Sequence, residues 1–137
     1  MLFFIFKKRY GEMMENNLVL LGGVYHVGLI IFHLFFWRIF NWPESINSLN
    51  KVNKSTIQVL NITITFIFVI FSYISFFHTY ELLNTILGKS ILMFLSILWI
   101  FRAIQQVLFY KLKHKLSIFL TAYFIFGGLL YGIPAIS

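Results

Sequence analysis

Few side chains in this sequence can hold a ligand, move a proton or bind a metal, and three of them stand in costly places. His33, Arg102 and Gln105 fall inside long apolar runs rather than beside them. A charge near the centre of a bilayer costs at least roughly 2.5–3.5 kcal/mol on insertion scales, so Arg102 either stitches helices together or meets an anion. The chain has no Asp, and its four Glu stand at positions 12, 15, 44 and 81, away from the level expected for Arg102. Its possible partners are backbone carbonyls, Gln105, Tyr123, a lipid phosphate reached by snorkelling, or an anionic ligand.

Depth can be reckoned at 1.5 Å per residue from the membrane face where the first apolar run begins. His33 then lies about 22 Å down, Arg102 about 21 Å, and Gln105 and Tyr123 about 25 Å. These four are the candidate ligand-binding layer. By the same measure His26 lies about 12 Å deep and His78 about 8 Å, a workable match for two axial ligands of a haem b held between helices. His26 and His33 are two turns apart on one helix, so they cannot hold one iron from opposite sides. No C-x-x-C-H attachment accompanies these histidines.

Catalytic motifs are missing. There is no H-E-x-x-H, no G-x-S-x-G, no P-loop and no pair of intramembrane carboxylates. His78 and Glu81 have the i, i+3 spacing of di-iron bundle ligands, but such centres take several Glu and only one stands near. The absence of Cys removes disulfides, thiolate metal sites and Cys nucleophiles.

The elements that must position these residues are four apolar runs, at about residues 17–40, 57–83, 91–110 and 116–136. Each nears the roughly 20 residues that a spanning helix needs. Of the 137 residues 60% are hydrophobic and only 11% charged, against about 25% charged in soluble domains. The expected fold is a single all-α integral membrane domain, an up-down-up-down bundle of four transmembrane helices with a short interfacial helix in the first loop. Short connections after the second and third runs make those helices antiparallel neighbours.

Local signals set the expected boundaries. Met1–Phe6 followed by Lys7, Lys8 and Arg9 reverses the order of a secretory signal and reads as an interfacial anchor. Pro43 and Glu44 open a helix in the first loop, where Ile46, Leu49 and Val52 recur at three-residue spacing. Ser55 and Gln58 form a capping box for the second run, and Ser90 caps the third. The last helix should finish at Pro134.

On helices of 3.6 residues per turn the polar side chains form stripes. These are Gly22, His26, His33 and Trp37; Asn61, Thr65, Ser72, Ser75 and Thr79; Trp99, Arg102, Gln106 and Tyr110; and Tyr123, Gly127 and Tyr131, with Gly128 and Gly132 as a G-x-x-x-G. Each stripe should face protein, because polar groups pointing at lipid go unsatisfied.

The net charge of +7 fits cations that flank membrane helices and meet anionic headgroups, not a nucleic-acid partner. The first and third loops carry Arg38, Lys51, Lys54, Lys111, Lys113 and Lys115, against Lys7, Lys8, Arg9 and Lys89 on the other side. The cation bias puts both termini outside the cytoplasm of a bacterial inner membrane. Three functions fit: an accessory or assembly subunit or homo-oligomer, a transporter or channel protomer with an anionic solute or lipid headgroup at Arg102, and a haem b redox protein. The expected partners are the bilayer and a second membrane chain, either itself or another subunit.

Overall fold

The computed structural model describes all residues, Met1–Ser137, and contains helices and turns but no strand. In chain order the helices are α1 (Leu2–Leu34), α2 (Phe36–Ile39), α3 (Trp42–Ser45), α4 (Lys51–Phe77), α5 (Thr79–Asn84), α6 (Ile86–Gln105) and α7 (Lys115–Ile136). A π-helical turn, Gln106–Tyr110, prolongs α6. Four of these are long and apolar enough to cross a membrane: Leu2–Leu34, Lys51–Phe77, Ile86–Tyr110 and Lys115–Ile136.

The sequence anticipates these four helices but misplaces several of their ends. Helix α1 starts at Leu2, not near residue 17, so the expected separate anchor is instead its first turns. Residues 2–16 are mostly Leu, Phe, Lys, Arg, Glu and Met with one Gly, and nothing among them stops a helix. The first-loop helix is a single turn, α3, with Pro43 at its start and Asn41 in the left-handed region (φ 48°) before it. Asn41 Nδ2 donates to Glu44 Oε2 at 2.6 Å, which pins that turn. Ile46 is buried while Leu49 and Val52 are exposed, and Val52 already belongs to α4. Asn47, Ser48 and Asn50 offer the backbone side-chain partners that compete with a longer helix.

Two expected caps are also replaced. Asn50 Oδ1 accepts from the Asn53 N–H at 2.8 Å, so α4 opens at Lys51 and Ser55 lies inside it. Thr85 Oγ1 accepts from the Gly88 N–H at 2.9 Å and opens α6. Ser90, the expected cap, donates back to the Ile86 carbonyl instead. A Cβ at Gly88 would collide with the Glu81 carbonyl and the Leu82 backbone, so the tight α5–α6 turn requires glycine there. Pro134 lies within the last turn of α7, which continues to Ile136.

The contacts group into two units, Met1–Gly22 with Ser75–Ser137, and Gly23–Ile74. In the first, α6 and α7 pack as an antiparallel hairpin around Leu92, Leu95, Trp99 and Ala103 on one helix and Leu120, Phe124, Leu130 and Tyr131 on the other. Small residues bring the two backbones together. Ser96 Oγ donates to the Gly128 carbonyl at 2.7 Å, and a Cβ at Gly132 would come within 2.7 Å of Ser96 Oγ. The Lys89 ammonium donates to the Pro134 carbonyl at 2.6 Å, a cation at the negative end of α7. In the second unit Ser72 Oγ donates to the Gly23 carbonyl at 3.1 Å, joining α4 to α1. The outward positions of all four long helices are occupied by exposed Leu, Ile, Val and Phe.

Candidate functional site

The expected polar layer is distributed over the two units. In the first, Arg102 lies on the last turn of α6, half-buried. Its Nη1 donates to Gln105 Oε1 at 3.3 Å and its Nη2 to Gln106 Oε1 at 3.5 Å. The guanidinium also lies over the Phe124 ring, 4.8 Å from its centroid. Arg102 and Gln105 are thus brought together as the sequence suggests, and Phe124 adds a cation–π contact from α7. Phe124 is stacked in turn on the buried Trp99, with centroids 5.7 Å apart and rings 15° from parallel.

A relay of hydrogen bonds runs on from Arg102. Gln106, which is buried, donates through Nε2 to Ser117 Oγ at 3.3 Å. Ser117 Oγ donates to the Lys111 carbonyl at 2.5 Å. Lys111 sits at the end of the π turn with φ 57° and ψ 171°, a region that side-chain-bearing residues rarely enter. The relay therefore ties the guanidinium to the turn that reverses the chain. Ser117 and Phe124 were not identifiable in advance. Ser117 is one hydroxyl at the start of the last apolar run, and one Phe among 18 carries no mark. Tyr123 is half-buried and packs its ring 5.9 Å from Phe119 on its own helix.

His33 belongs to the other unit, where its partner is Asn61. His33 Nδ1–H donates to Asn61 Oδ1 at 2.9 Å, and Asn61 Nδ2 donates to the His33 carbonyl at 3.2 Å. This reciprocal pair joins α1 to α4 and fixes the imidazole with its proton on Nδ1. The ring stacks on Phe36, with centroids 4.2 Å apart, and meets Phe68 edge-on. The signal for Asn61 was its place at the head of the α4 polar stripe.

The two histidines considered for haem lie in very different surroundings. His26 is fully buried, with its ring against Tyr25, Phe68 and Phe71. His78 stands half-exposed at the break between α4 and α5, its Nδ1 3.8 Å from Glu81 Oε2. No three His, Asp or Glu side chains gather into a group that could hold a metal ion.

Other stripe residues also join helices. In the first unit Tyr131 is fully buried, shares a 2.8 Å hydrogen bond with Ser75 Oγ, and lies against Gly22. Several of these hydrogen bonds run from one helix to another. No family model matches the chain, and neither a curated protein nor a solved structure similar to it is found.

Proposed function

We propose that this chain is an integral membrane protein of four spans, up-down-up-down, that works as a small accessory or assembly subunit or a homo-oligomer. Its intramembrane polar side chains act as staples between helices. The observation that carries this reading is the pairing of stripe residues across helices: His33 with Asn61, Ser72 with the Gly23 carbonyl, Ser75 with Tyr131, and Gln106 with Ser117. In hydrocarbon, where no water satisfies a polar group, such bonds select one packing of otherwise uniformly apolar helices. The exposed aliphatic and aromatic outer faces suit lipid or partner helices. The setting we propose is a bacterial inner membrane, with both termini outside the cytoplasm.

The half-exposure of Arg102 favours one second reading, an anionic solute or lipid headgroup at its guanidinium in a transporter or channel protomer. One experiment separates the two. Wild-type, Arg102→Lys and Arg102→Leu proteins are purified, tested for resistance to unfolding, and reconstituted into vesicles loaded with chloride or inorganic phosphate. The staple reading expects Arg102→Leu to unfold more easily, Arg102→Lys to lose the two-pronged contact and fall between, and no variant to release anion above empty vesicles. Anion release that Arg102→Leu abolishes in a folded protein would overturn the staple reading in favour of transport.

A further inference from the structure

Helix α1 carries an exposed apolar stripe on the side opposite its buried face. Phe3, Phe6, Tyr10, Met13, Asn17 and Leu20 follow one another at alternating steps of three and four residues, and every one is exposed. Tyr10 is 68% and Met13 54% accessible. Val19 and Gly22, on the other side of the same helix, are buried. The same alternation continues in the sequence through Val24, Val27, Ile31 and Leu34, all exposed as well.

Steps of three and four residues make the a and d positions of a heptad repeat, the seam by which two helices pack on each other. Taking Phe3 as a and Phe6 as d puts Asn17 at an a position, Leu20 and Leu34 at d, and the β-branched Val24 and Ile31 at a. β-Branched residues at a with Leu at d favour two parallel strands, and a lone Asn at a fixes register. We propose that a second copy of this chain docks in parallel along this face of α1, with the two Asn17 side chains meeting across a two-fold axis.

Lipid alone accounts poorly for the stripe. At 1.5 Å per residue the 33 residues of α1 extend about 50 Å, while the hydrocarbon core is about 30 Å thick. The face therefore stays apolar for about 20 Å beyond what lipid tails can cover. The helix is unbroken and free of Pro, so its first turns do not fold down onto the membrane surface. Flanking charges do not oppose the docking. The g-to-e′ neighbours in a parallel pair would be Leu2 with Lys7, Arg9 with Met14 and Asn16 with Leu21, none of them like-charged. The proposal rests on the membrane reading above, because insertion gives both copies the same orientation and so makes the pair parallel.

The chain has no Cys, so single-cysteine variants report proximity without background. Phe6→Cys, Tyr10→Cys, Met13→Cys and Leu20→Cys are compared with Lys8→Cys, Glu12→Cys and Glu15→Cys by mild oxidation in native membranes. A disulfide needs its Cβ atoms within about 4.5 Å, so same-site dimers are expected several-fold more often at the first four than at the last three. Adding Met13→Glu, which sets like charges across the axis, is expected to lower the Leu20→Cys dimer several-fold. The same yield at every position, dimers confined to one central position as in an antiparallel pair, or adducts with a different protein would each overturn the proposal. Alkaline carbonate extraction separates this from the reading beneath it. Release of the chain from membranes refutes the membrane assignment, whereas retention without the positional pattern refutes only the docking.

Discussion

Replacing Gly22 with Ala adds one methyl group where α1 lies against the Tyr131 ring in the first unit. The new Cβ would lie 2.5 Å from both the Cζ and the hydroxyl of Tyr131. That ring has little room to withdraw, because it is fully buried and its hydroxyl is held by Ser75 Oγ at 2.8 Å. Forcing extra volume into a packed core costs about 1–3 kcal/mol. Losing the Ser75–Tyr131 bond adds about 0.6 kcal/mol on average for an interhelical membrane bond, and at most about 1.7. The higher helix propensity of Ala returns up to about 1 kcal/mol. The expected net loss is about 1–3 kcal/mol. Gly11→Ala is the matched control on the same helix, since no atom lies within 4 Å of the Cβ it would add. Only the propensity gain operates there, so that variant should be as stable as wild type or more stable by up to about 1 kcal/mol. The assay is unfolding by SDS titration in mixed micelles, followed by far-UV circular dichroism and by fluorescence, to which the buried Trp99 contributes. Opposite signs for the two substitutions are expected. Shifts of the same sign, or a Gly22→Ala midpoint equal to that of wild type, would refute the packing of Tyr131 on Gly22.

Two further outcomes follow from the sites described. Asn61→Leu removes both bonds to His33 and leaves the imidazole Nδ1–H without that acceptor, so a loss of about 1–3 kcal/mol is expected in the same titration. An unchanged midpoint would deny the pair its role as a staple. Lys111→Gly relieves a backbone held at φ 57° and ψ 171°, a conformation that costs a residue with a side chain about 1–3 kcal/mol, so this variant should be more stable than wild type. A destabilised Lys111→Gly would mean that the ammonium contributes more than the backbone strain takes away.

The parts of this fold that were legible in the sequence are those set by side-chain chemistry repeated over many residues. Four long apolar runs announce four membrane-length helices, because each run sums some 20 favourable transfers. The polar stripes were legible for the same reason. Ser72, Ser75, Gln106 and Tyr131 are buried members of those stripes, whereas Trp37 and Tyr110, at the ends of theirs, are exposed. Boundaries depend on single residues and were less legible. Asn50 and Ser55 are both good caps, and it is Asn50 whose side chain accepts from the first turn of α4. Thr85 precedes Ser90 by little more than a turn, and the close fit of Gly88 against the α5 backbone fixes the earlier start. The length of α1 was missed because Lys7, Lys8, Arg9, Glu12 and Glu15 end an apolar run without ending a helix. At the site, Arg102 with Gln105 was legible because both stand on the same turn of one helix. Phe124 and Ser117 were not, because their contacts depend on how α7 is rotated against α6.

The central claim is that the chain crosses a bilayer four times, with the polar staples inside it. Single cysteines at Phe4, Leu49, Leu87 and Lys113, introduced one at a time into this cysteine-free sequence, test it directly by labelling with a membrane-impermeant maleimide before and after permeabilisation of whole cells. Positions 4 and 87 are expected to label in intact cells, and 49 and 113 only once the membrane is opened. Labelling of 87 and 113 from the same side would contradict the four-span topology.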